Sequence, residues 1–338
     1  MSTMHTMTVP EAGGSLQMVE QDLPVPGPHE VLLRVAACGV CHSDSVTVEG
    51  LMPITYPRVP GHEVIGTVEA IGSDVRGWEV GTRAGVGWFG GACGYCARCR
   101  RGQAFACETE TAVTGVTRDG GYATHMLADA SALALVPDEL DSIESAPLLC
   151  AGITTFNALR NCGAGPDDLV VIHGVGGLGH LGVQFAARQG FHTVAVARGR
   201  DKEQLARQLG AHDYIDSNDG DPAAALRAMG GAKAILATVT SPEAMQAIVG
   251  GLGPNGTMMI IGAVPTLTVD PFELLLKRAA VKGWYSGTAV DSEDTMLFCA
   301  RNAIRSMNEI YPFEQAQAAY ERMMSGKARF RVVLTMPE

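Results

Sequence analysis

Residues 169–179 read Leu-Val-Val-Ile-His-Gly-Val-Gly-Gly-Leu-Gly, a β-branched run that leads directly into closely spaced glycines. In the spacing G-x-G-x-x-G, one glycine makes a tight turn, a second admits a pyrophosphate against the backbone, and a third brings a helix close to the strand. An ordinary glycine-rich turn is the alternative. Because a strand pattern precedes the glycines and a helical pattern follows them, we favour a dinucleotide-binding loop. Its predicted binding residues are Gly174, Gly176, Gly177, Leu178 and Gly179.

The residues on either side of this loop predict two kinds of structure. Strands are predicted at 169–173, 193–197, 234–238, 257–261 and 281–285, and helices at 177–188, 202–209, 222–229, 242–249 and 271–276. Such alternation predicts a parallel, doubly wound sheet, which is a Rossmann-type α/β fold. Before Pro147, short extended runs separated by glycine and proline predict a compact β-rich unit. In the tail, residues 312–324 show an amphipathic helix pattern and 329–335 alternate like a strand.

The second predicted strand, 193–197, lacks the acidic residue at its end that commonly binds the ribose hydroxyls of NAD. Arg198 and Arg200 follow it instead. A guanidinium group pairs bidentately with phosphate oxygens, so we expect NADP(H) to be preferred over NAD(H). The two arginines could also be solvated surface charges. Asp201 is a possible ribose ligand, although its position favours a helix N-cap.

Four cysteines with the spacing C-x2-C-x2-C-x7-C stand within residues 91–107, among glycines that permit tight turns. Four thiolates can close a tetrahedral shell around Zn²⁺, so we predict a structural zinc site. An iron–sulfur cluster is a minor alternative. A disulfide cluster would suit a small secreted chain, whereas this N terminus has no secretory signal pattern and a reducing cytoplasm is expected. The predicted ligands are Cys93, Cys96, Cys99 and Cys107.

A shell closed by four sulfurs leaves no position for a substrate, so a reactive zinc ion would need other ligands. Three candidates are Cys41 in Cys-His-Ser-Asp, His62 in Gly-His-Glu, and Cys150. Two thiolates and one imidazole make an open shell with room for a substrate oxygen. The sequence therefore predicts two Zn²⁺ ions per chain.

The composition limits the classes of partner. A chain of 338 residues is long enough for two domains, and a formal charge of -11 would repel nucleic acids and anionic membranes. We therefore expect a small-molecule ligand, no nucleic acid and no membrane. Residues 169–187 carry no formal charge, but their histidines and glycines fit strand, loop and helix better than a membrane span.

These motifs, in this order, resemble the zinc-dependent medium-chain alcohol dehydrogenases over essentially the whole chain. The resemblance implies a GroES-like β-rich catalytic domain at residues 1–150 and 286–338 and a Rossmann domain at 151–285. It implies hydride transfer between NAD(P)(H) and a primary or aromatic alcohol or aldehyde. It also implies a homodimer or homotetramer built through the nucleotide-binding domains.

The resemblance further assigns roles to individual residues. Ser43 would hydrogen-bond the substrate oxygen and begin a proton relay, Asp44 would orient His62, and Glu63 would lie behind the zinc as a transient ligand. Two residues that fall where family members contact the cofactor pyrophosphate are His42 and Arg331.

One position departs from the family pattern. Many members have a histidine that ends the proton relay where this chain has Val46. The relay would then finish through water or a cofactor ribose hydroxyl. Trp88 and Phe89 either line the substrate cleft, which would suit apolar or aromatic substrates, or pack in the core.

Two other functions compete with this prediction. A zinc-free quinone or enoyl reductase would share the fold and the NADP preference, and a nucleotide-sensing binding protein would need no turnover. The presence of Cys41, His62 and Cys150 argues against both, because neither needs an open zinc shell.

Overall fold

The computed structural model describes residues 3–109 and 112–337. The chain forms two compact units. Unit 1 comprises Met1–Ile153 and Gly287–Glu338, and unit 2 comprises Thr154–Ser286.

The strands of the described residues fall into three sheets. They are β1 (Thr3–Thr8), β2 (Gln17–Asp22), β3 (Glu30–Val40), β4 (Val64–Ile71), β5 (Arg83–Val86), β6 (His125–Asp129), β7 (Leu133–Leu135), β8 (Leu169–His173), β9 (His192–Ala197), β10 (Asp213–Asp216), β11 (Ala232–Ala237), β12 (Leu252–Ile260), β13 (Ala280–Gly283), β14 (Asn308–Pro312) and β15 (Arg331–Thr335).

The α-helices are mostly short, and most of them lie in or border unit 2. They are α1 (Ser45–Val48), α2 (Ser142–Ser145), α3 (Ala151–Arg160), α4 (Gly179–Arg188), α5 (Glu203–Gln208), α6 (Pro222–Ala228), α7 (Pro242–Val249), α8 (Pro271–Lys277), α9 (Ala289–Asn302) and α10 (Ala316–Met324). Within the described residues, every helix is too short or too polar to traverse a bilayer.

Unit 1 is built around the long strand β3. The sheet order is β14-β15-β3-β4-β5-β7, with β6 also paired to β3. Alternate residues of β3 are buried in the core, namely Val31, Leu33 and Val35, because successive side chains of a strand point to opposite faces. The tail strand β15 lies antiparallel to β3, so the end of the chain completes a sheet that the N-terminal residues begin. The predicted β-rich unit is confirmed.

Unit 2 contains a six-stranded sheet in the order β10-β9-β8-β11-β12-β13, and all of its adjacent strands are parallel. This is the Rossmann order, in which the first strand of the unit lies centrally and the chain winds outward in both directions. Val171, Val194 and Ile235 are fully buried on the central strands. The predicted α/β fold class is confirmed.

Some local predictions were wrong. Strand β10 was missed because its sequence, Asp-Tyr-Ile-Asp, has charged ends and no apolar run, as suits a half-buried edge strand. The capping role expected of Asp201 is not found: α5 begins at Glu203, is preceded by Lys202, and has no side-chain cap. Helix α4 begins at Gly179, later than predicted, because the preceding glycines form the turn.

Candidate metal centres and nucleotide site

The four cysteines at 93–107 come together in a lobe of unit 1. Their sulfurs all lie within 4.8 Å of one another, with Cys93 Sγ at 3.9 Å from Cys99 Sγ and 3.5 Å from Cys107 Sγ. Zinc–sulfur bonds of about 2.3 Å at tetrahedral angles place sulfurs about 3.8 Å apart, so the spacing fits Zn²⁺. The backbone amide of Cys96 donates to Cys93 Sγ and that of Cys99 donates to Cys96 Sγ, each at 3.4 Å.

A second cluster of unit 1 is assembled from three separate segments. Cys41 follows β3, His62 precedes β4, and Cys150 follows a 3₁₀ turn at Ala146–Leu149. The two sulfurs are 3.7 Å apart, and one ligand atom each of Cys41, His62, Glu63 and Cys150 lie within 4.8 Å of one another. This donor set and spacing fit a three-ligand zinc shell.

His62 is buried and its ring is oriented by Asp44. Asp44 Oδ1 lies 2.8 Å from His62 Nδ1, and both side chains are 1% exposed. The Nδ1 proton then points to the carboxylate and leaves Nε2 as the nitrogen that could bind a metal. His62 Nε2 is buried and has no hydrogen-bond partner among the residues that the structure describes. A buried nitrogen in this condition could bind a metal ion.

The two thiols of this cluster lie within hydrogen-bonding distance of each other. A hydrogen bond from Cys150 lowers the pKa of Cys41 well below its usual range, despite the opposing effect of burial. The thiolate is the form that binds metals. The backbone amide of Ser43 adds a contact of 3.5 Å to Cys41 Sγ.

Glu63, which contributes a carboxylate oxygen to this group of ligand atoms, is fully buried. Burial raises the pKa of Glu63 to about 8, although the Arg331 guanidinium acts in the opposite direction. Glu63 Oε1 accepts a hydrogen bond from Arg331, and its Oε2 has no partner in the described part of the chain. The structure thus places Arg331 inside unit 1 as the counter-ion of Glu63, and its contact with a cofactor pyrophosphate stays a prediction.

The remaining predicted residues of the cleft have different environments. Ser43 and Val46 are half-buried, and His42 is exposed. Trp88 meets the His62 ring edge to face, with ring centroids 4.9 Å apart. Phe89 belongs to the hydrophobic core of unit 1, whereas Trp88 contacts a residue of the cluster.

The glycine loop of unit 2 connects β8 to α4. Gly174 has a φ of 101°, and a Cβ there would lie 2.7 Å from Thr238 Oγ1. A Cβ at Gly179 would lie 1.8 Å from the Gly174 carbonyl oxygen, whereas one at Gly176 would meet nothing within 4 Å. Glycine is therefore required at Gly174 by the turn and at Gly179 by helix packing. Gly176 leaves the backbone surface of the loop open. This fits the approach of a pyrophosphate.

The segment after β9 carries the two predicted phosphate-binding arginines. Arg200 is bound by Asp219 at 3.0 Å and Glu203 at 3.5 Å. Arg198 is exposed and has no ion pair within the ranges 3–109 and 112–337. Gly199 lies between the two arginines, and both its backbone amide and its carbonyl form hydrogen bonds.

Those backbone contacts come from the strand that the sequence did not reveal. The Gly199 amide donates to Asp216 Oδ1 at 2.7 Å, and the Tyr214 hydroxyl donates to the Gly199 carbonyl at 2.5 Å. Tyr122, whose hydroxyl donates to Asp44 Oδ2 at 2.9 Å, was also missed, because it lies 78 residues away along the chain. No local motif marks either tyrosine.

Comparisons with known proteins agree with this arrangement. The family model of the alcohol dehydrogenase GroES-like domain matches residues 27–138, and that of the zinc-binding dehydrogenases matches residues 177–301. Alcohol dehydrogenase notN from an Aspergillus species is 44% identical over 326 residues, 96% of each chain.

Solved structures share the whole fold. Acetophenone reductase from Geotrichum candidum in complex with NAD has a TM-score of 0.85 at 28% identity, and the match covers 98% of this chain and 97% of that chain. A zinc-binding dehydrogenase from Sinorhizobium meliloti bound to NADP has a TM-score of 0.88 at 26% identity, covering 99% and 100%. The chain belongs to the zinc-type medium-chain dehydrogenase/reductase family and is an oxidoreductase that acts on CH–OH groups.

Proposed function

We propose that the chain is a two-zinc alcohol dehydrogenase and aldehyde reductase that transfers a hydride between NADP(H) and a primary or aromatic alcohol or aldehyde. The observation that carries the proposal is His62 Nε2, a buried nitrogen without a partner among the described residues, beside two thiol sulfurs. Three protein ligands leave one position for substrate, which is the arrangement of catalytic zinc. Seven ligands in all would hold the metals: Cys41, His62 and Cys150 at the open site, and Cys93, Cys96, Cys99 and Cys107 at the closed one.

The protein residues divide the remaining work. When bound, zinc supplies a Lewis acid and the nicotinamide a hydride donor or acceptor. Asp44 keeps the proton on His62 Nδ1, and Ser43 would hydrogen-bond the substrate oxygen and pass its proton outward. Val46 has no titratable atom, so the proton would continue through water or a ribose hydroxyl. A Val46→His variant should change the pH–rate profile, and an unchanged profile would count against this path.

Metal analysis tests the main proposal. We expect two zinc ions per chain, because the two clusters share no ligand. A single ion would fit a reductase or a nucleotide sensor and would refute the two-zinc enzyme. Six thiols in these clusters must stay reduced to bind zinc, which supports a cytoplasmic location.

The NADP preference rests on Arg198. Its guanidinium is exposed and has no ion pair among the described residues, and no carboxylate ends β9. We expect higher kcat/KM with NADPH than with NADH on a benzaldehyde-type substrate. Arg198→Ala should lower kcat/KM for NADPH by about 10- to 100-fold, the loss of a charged hydrogen bond, and leave NADH turnover unchanged.

Arg200→Ala is the matched control, since that guanidinium is already bound by Asp219. Its effect on NADPH should be smaller than that of Arg198→Ala. Equal rates with both cofactors in the parent enzyme, or a preference for NADH, would refute the cofactor proposal.

The substrate and the assembly are proposed from surface features. The Trp88 ring beside His62 supports aromatic substrates, and a panel of aliphatic and aromatic alcohols tests this. Among the described residues, strand β13 is an edge of the sheet of unit 2, and helix α8 of the same unit has the exposed side chains Phe272, Leu275 and Leu276. An open strand edge and exposed apolar side chains support a homodimer or homotetramer through this unit. Light scattering should therefore give a multiple of 35.5 kDa.

A further inference from the structure

Tyr122 lies in the interior of unit 1 and is fully buried. Its hydroxyl donates to Asp44 Oδ2 at 2.9 Å, and the Cys41 backbone amide donates to the same oxygen at 2.8 Å. The other carboxylate oxygen lies 2.8 Å from His62 Nδ1. A chain of hydrogen bonds thus runs from Tyr122 through Asp44 to His62 Nδ1, on the imidazole ring whose other nitrogen, Nε2, has no partner among the described residues.

The main chain reinforces this connection. Three backbone hydrogen bonds of 2.8, 3.0 and 3.0 Å join residues 120–122 to residues 59–61, the segment that leads into His62. Tyr122 is therefore connected to His62 twice: its side chain through Asp44, and its main chain through the segment that precedes His62. A shift in the position of Tyr122 would therefore disturb the position of His62.

The Tyr122 ring has a separate steric role. Gly61, immediately before His62, has a φ of 101°, and a Cβ there would lie 2.4 Å from Cδ1 of the ring. The ring thus restricts residue 61 to glycine and defines the path of the chain into His62. Because phenylalanine keeps the ring and removes only the hydroxyl, the steric and hydrogen-bonding roles can be separated.

We propose that Tyr122 is a positioning residue for the metal-binding histidine and that it acts through Asp44. Two donors on Oδ2 hold the carboxylate so that Oδ1 faces the imidazole, which keeps the His62 ring in the tautomer with Nε2 available. The proposal rests on the proposed function, because it takes zinc to bind at Cys41, His62 and Cys150. Outer partners of metal-bound histidines typically change metal affinity or activity by about 10- to 100-fold.

The test is zinc release from the holoenzyme to a chromogenic chelator, with the parent enzyme and Tyr122→Phe compared. We expect one of the two zinc ions to leave about 10-fold faster in the variant. The zinc of the four-cysteine lobe is an internal reference and should leave at the parent rate. In the cobalt-substituted enzyme, the visible absorption bands of the open site should shift, because they report ligand geometry.

Tyr320→Phe is the matched control. Tyr320 is also a buried tyrosine of unit 1, and its hydroxyl contacts Glu49 at 3.5 Å instead of Asp44. Its zinc release should match the parent for both ions. A double-mutant cycle with Asp44→Asn then asks whether Tyr122 acts through the carboxylate: the two effects should be strongly non-additive.

Three results would overturn the proposal. If zinc left Tyr122→Phe at the parent rate, the Tyr122 hydroxyl would have no positioning role. If both zinc ions left equally faster, the variant would have lost stability in general. Additive effects in the cycle would show that Tyr122 does not act through Asp44. A parent enzyme with a single zinc ion would overturn the proposed function together with the role of Tyr122. The three results above would overturn only the role of Tyr122, so the two failures can be distinguished.

Discussion

The two cysteine clusters of unit 1 are held together in different ways. The four sulfurs of the lobe come from residues 93–107, and the local backbone brings them together through 3₁₀ turns and left-handed glycines such as Gly94 and Gly102. Cys41, His62 and Cys150 come from three distant segments, and only the packed sheet of unit 1 brings them together. Local backbone geometry suffices to assemble the four-cysteine cluster, whereas the proposed reactive site needs positions that the fold of the whole unit determines.

The surroundings differ as well. Three of the lobe cysteines are partly exposed, whereas Cys41 and His62 are buried beside the fully buried Glu63. A buried site has lower polarity, so charges and hydrogen bonds in it act more strongly. This predicts that changes at the buried cluster affect chemistry first and changes at the lobe affect stability first.

The largest expected effect is that of Cys150→Ala. It should remove one zinc ion and lower kcat at least about 1,000-fold, because a bound metal contributes several kcal/mol of transition-state stabilisation. Metal analysis and initial rates measure this. Cys162→Ala, which changes a buried cysteine outside both clusters, is the control and should keep two ions. An active Cys150→Ala enzyme would contradict the prediction that changes at the buried cluster affect chemistry first.

Cys99→Ser should act in the opposite way. Loss of the lobe zinc should lower the free energy of unfolding by about 2–5 kcal/mol, comparable to the loss of a native cross-link. The kcat of the folded fraction should stay near the parent value. Denaturant unfolding and rates normalised to folded protein provide the measurement. A large fall in kcat without loss of stability would contradict the separation of roles.

A pair of glycine variants compares the packing of the two clusters. A Cβ at Gly39 would lie 1.9 Å from Glu63 Oε2, whereas one at Gly94 would meet nothing within 4 Å. Gly39→Ala should therefore destabilise by about 3 kcal/mol through overpacking and speed the release of one zinc ion. Gly94→Ala should cost about 1 kcal/mol, the strain of its left-handed backbone, and leave activity intact. Equal losses of stability in Gly39→Ala and Gly94→Ala would show that the two clusters do not differ in packing.

The smallest effect is expected for Cys38→Ala. Cys38 forms C-x-x-C with Cys41, but its sulfur is not part of either four-residue cluster. Burial raises the pKa of the Cys38 thiol. We expect two zinc ions, near-parent kcat and a loss of about 1 kcal/mol in stability. Loss of a zinc ion would assign Cys38 to the open site.

Much of the fold could be predicted because its signals are local. The β/α alternation of unit 2 and the glycine loop appear as runs of neighbouring residues, and the sheet follows the predicted winding. Strand β10 could not be predicted, because an edge strand needs no continuous apolar run and its half-buried residues carry charges at both ends.

The partners of the candidate site were harder to predict. The sequence suggested His62 and Asp44 as neighbours, since motifs place both near zinc, but it gave no reason to connect Tyr122 with Asp44. The resemblance implied a pyrophosphate contact for Arg331, which stays a prediction, but it gave no sign that the Arg331 guanidinium pairs with Glu63, 268 residues away. A buried carboxylate takes its partner from whatever donor the packed core presents.

The amino-acid sequence by itself therefore determined the presence of a four-cysteine cluster, a glycine loop between strand and helix, and three further candidate metal ligands. These depend on residue type and on spacings of a few positions, which constrain the backbone directly. Only the tertiary structure decided which donors satisfy Asp44 and Glu63 and which nitrogen of His62 is left without a partner among the described residues. Such choices depend on burial, because a polar atom removed from water must find its partner among the groups that packing places beside it.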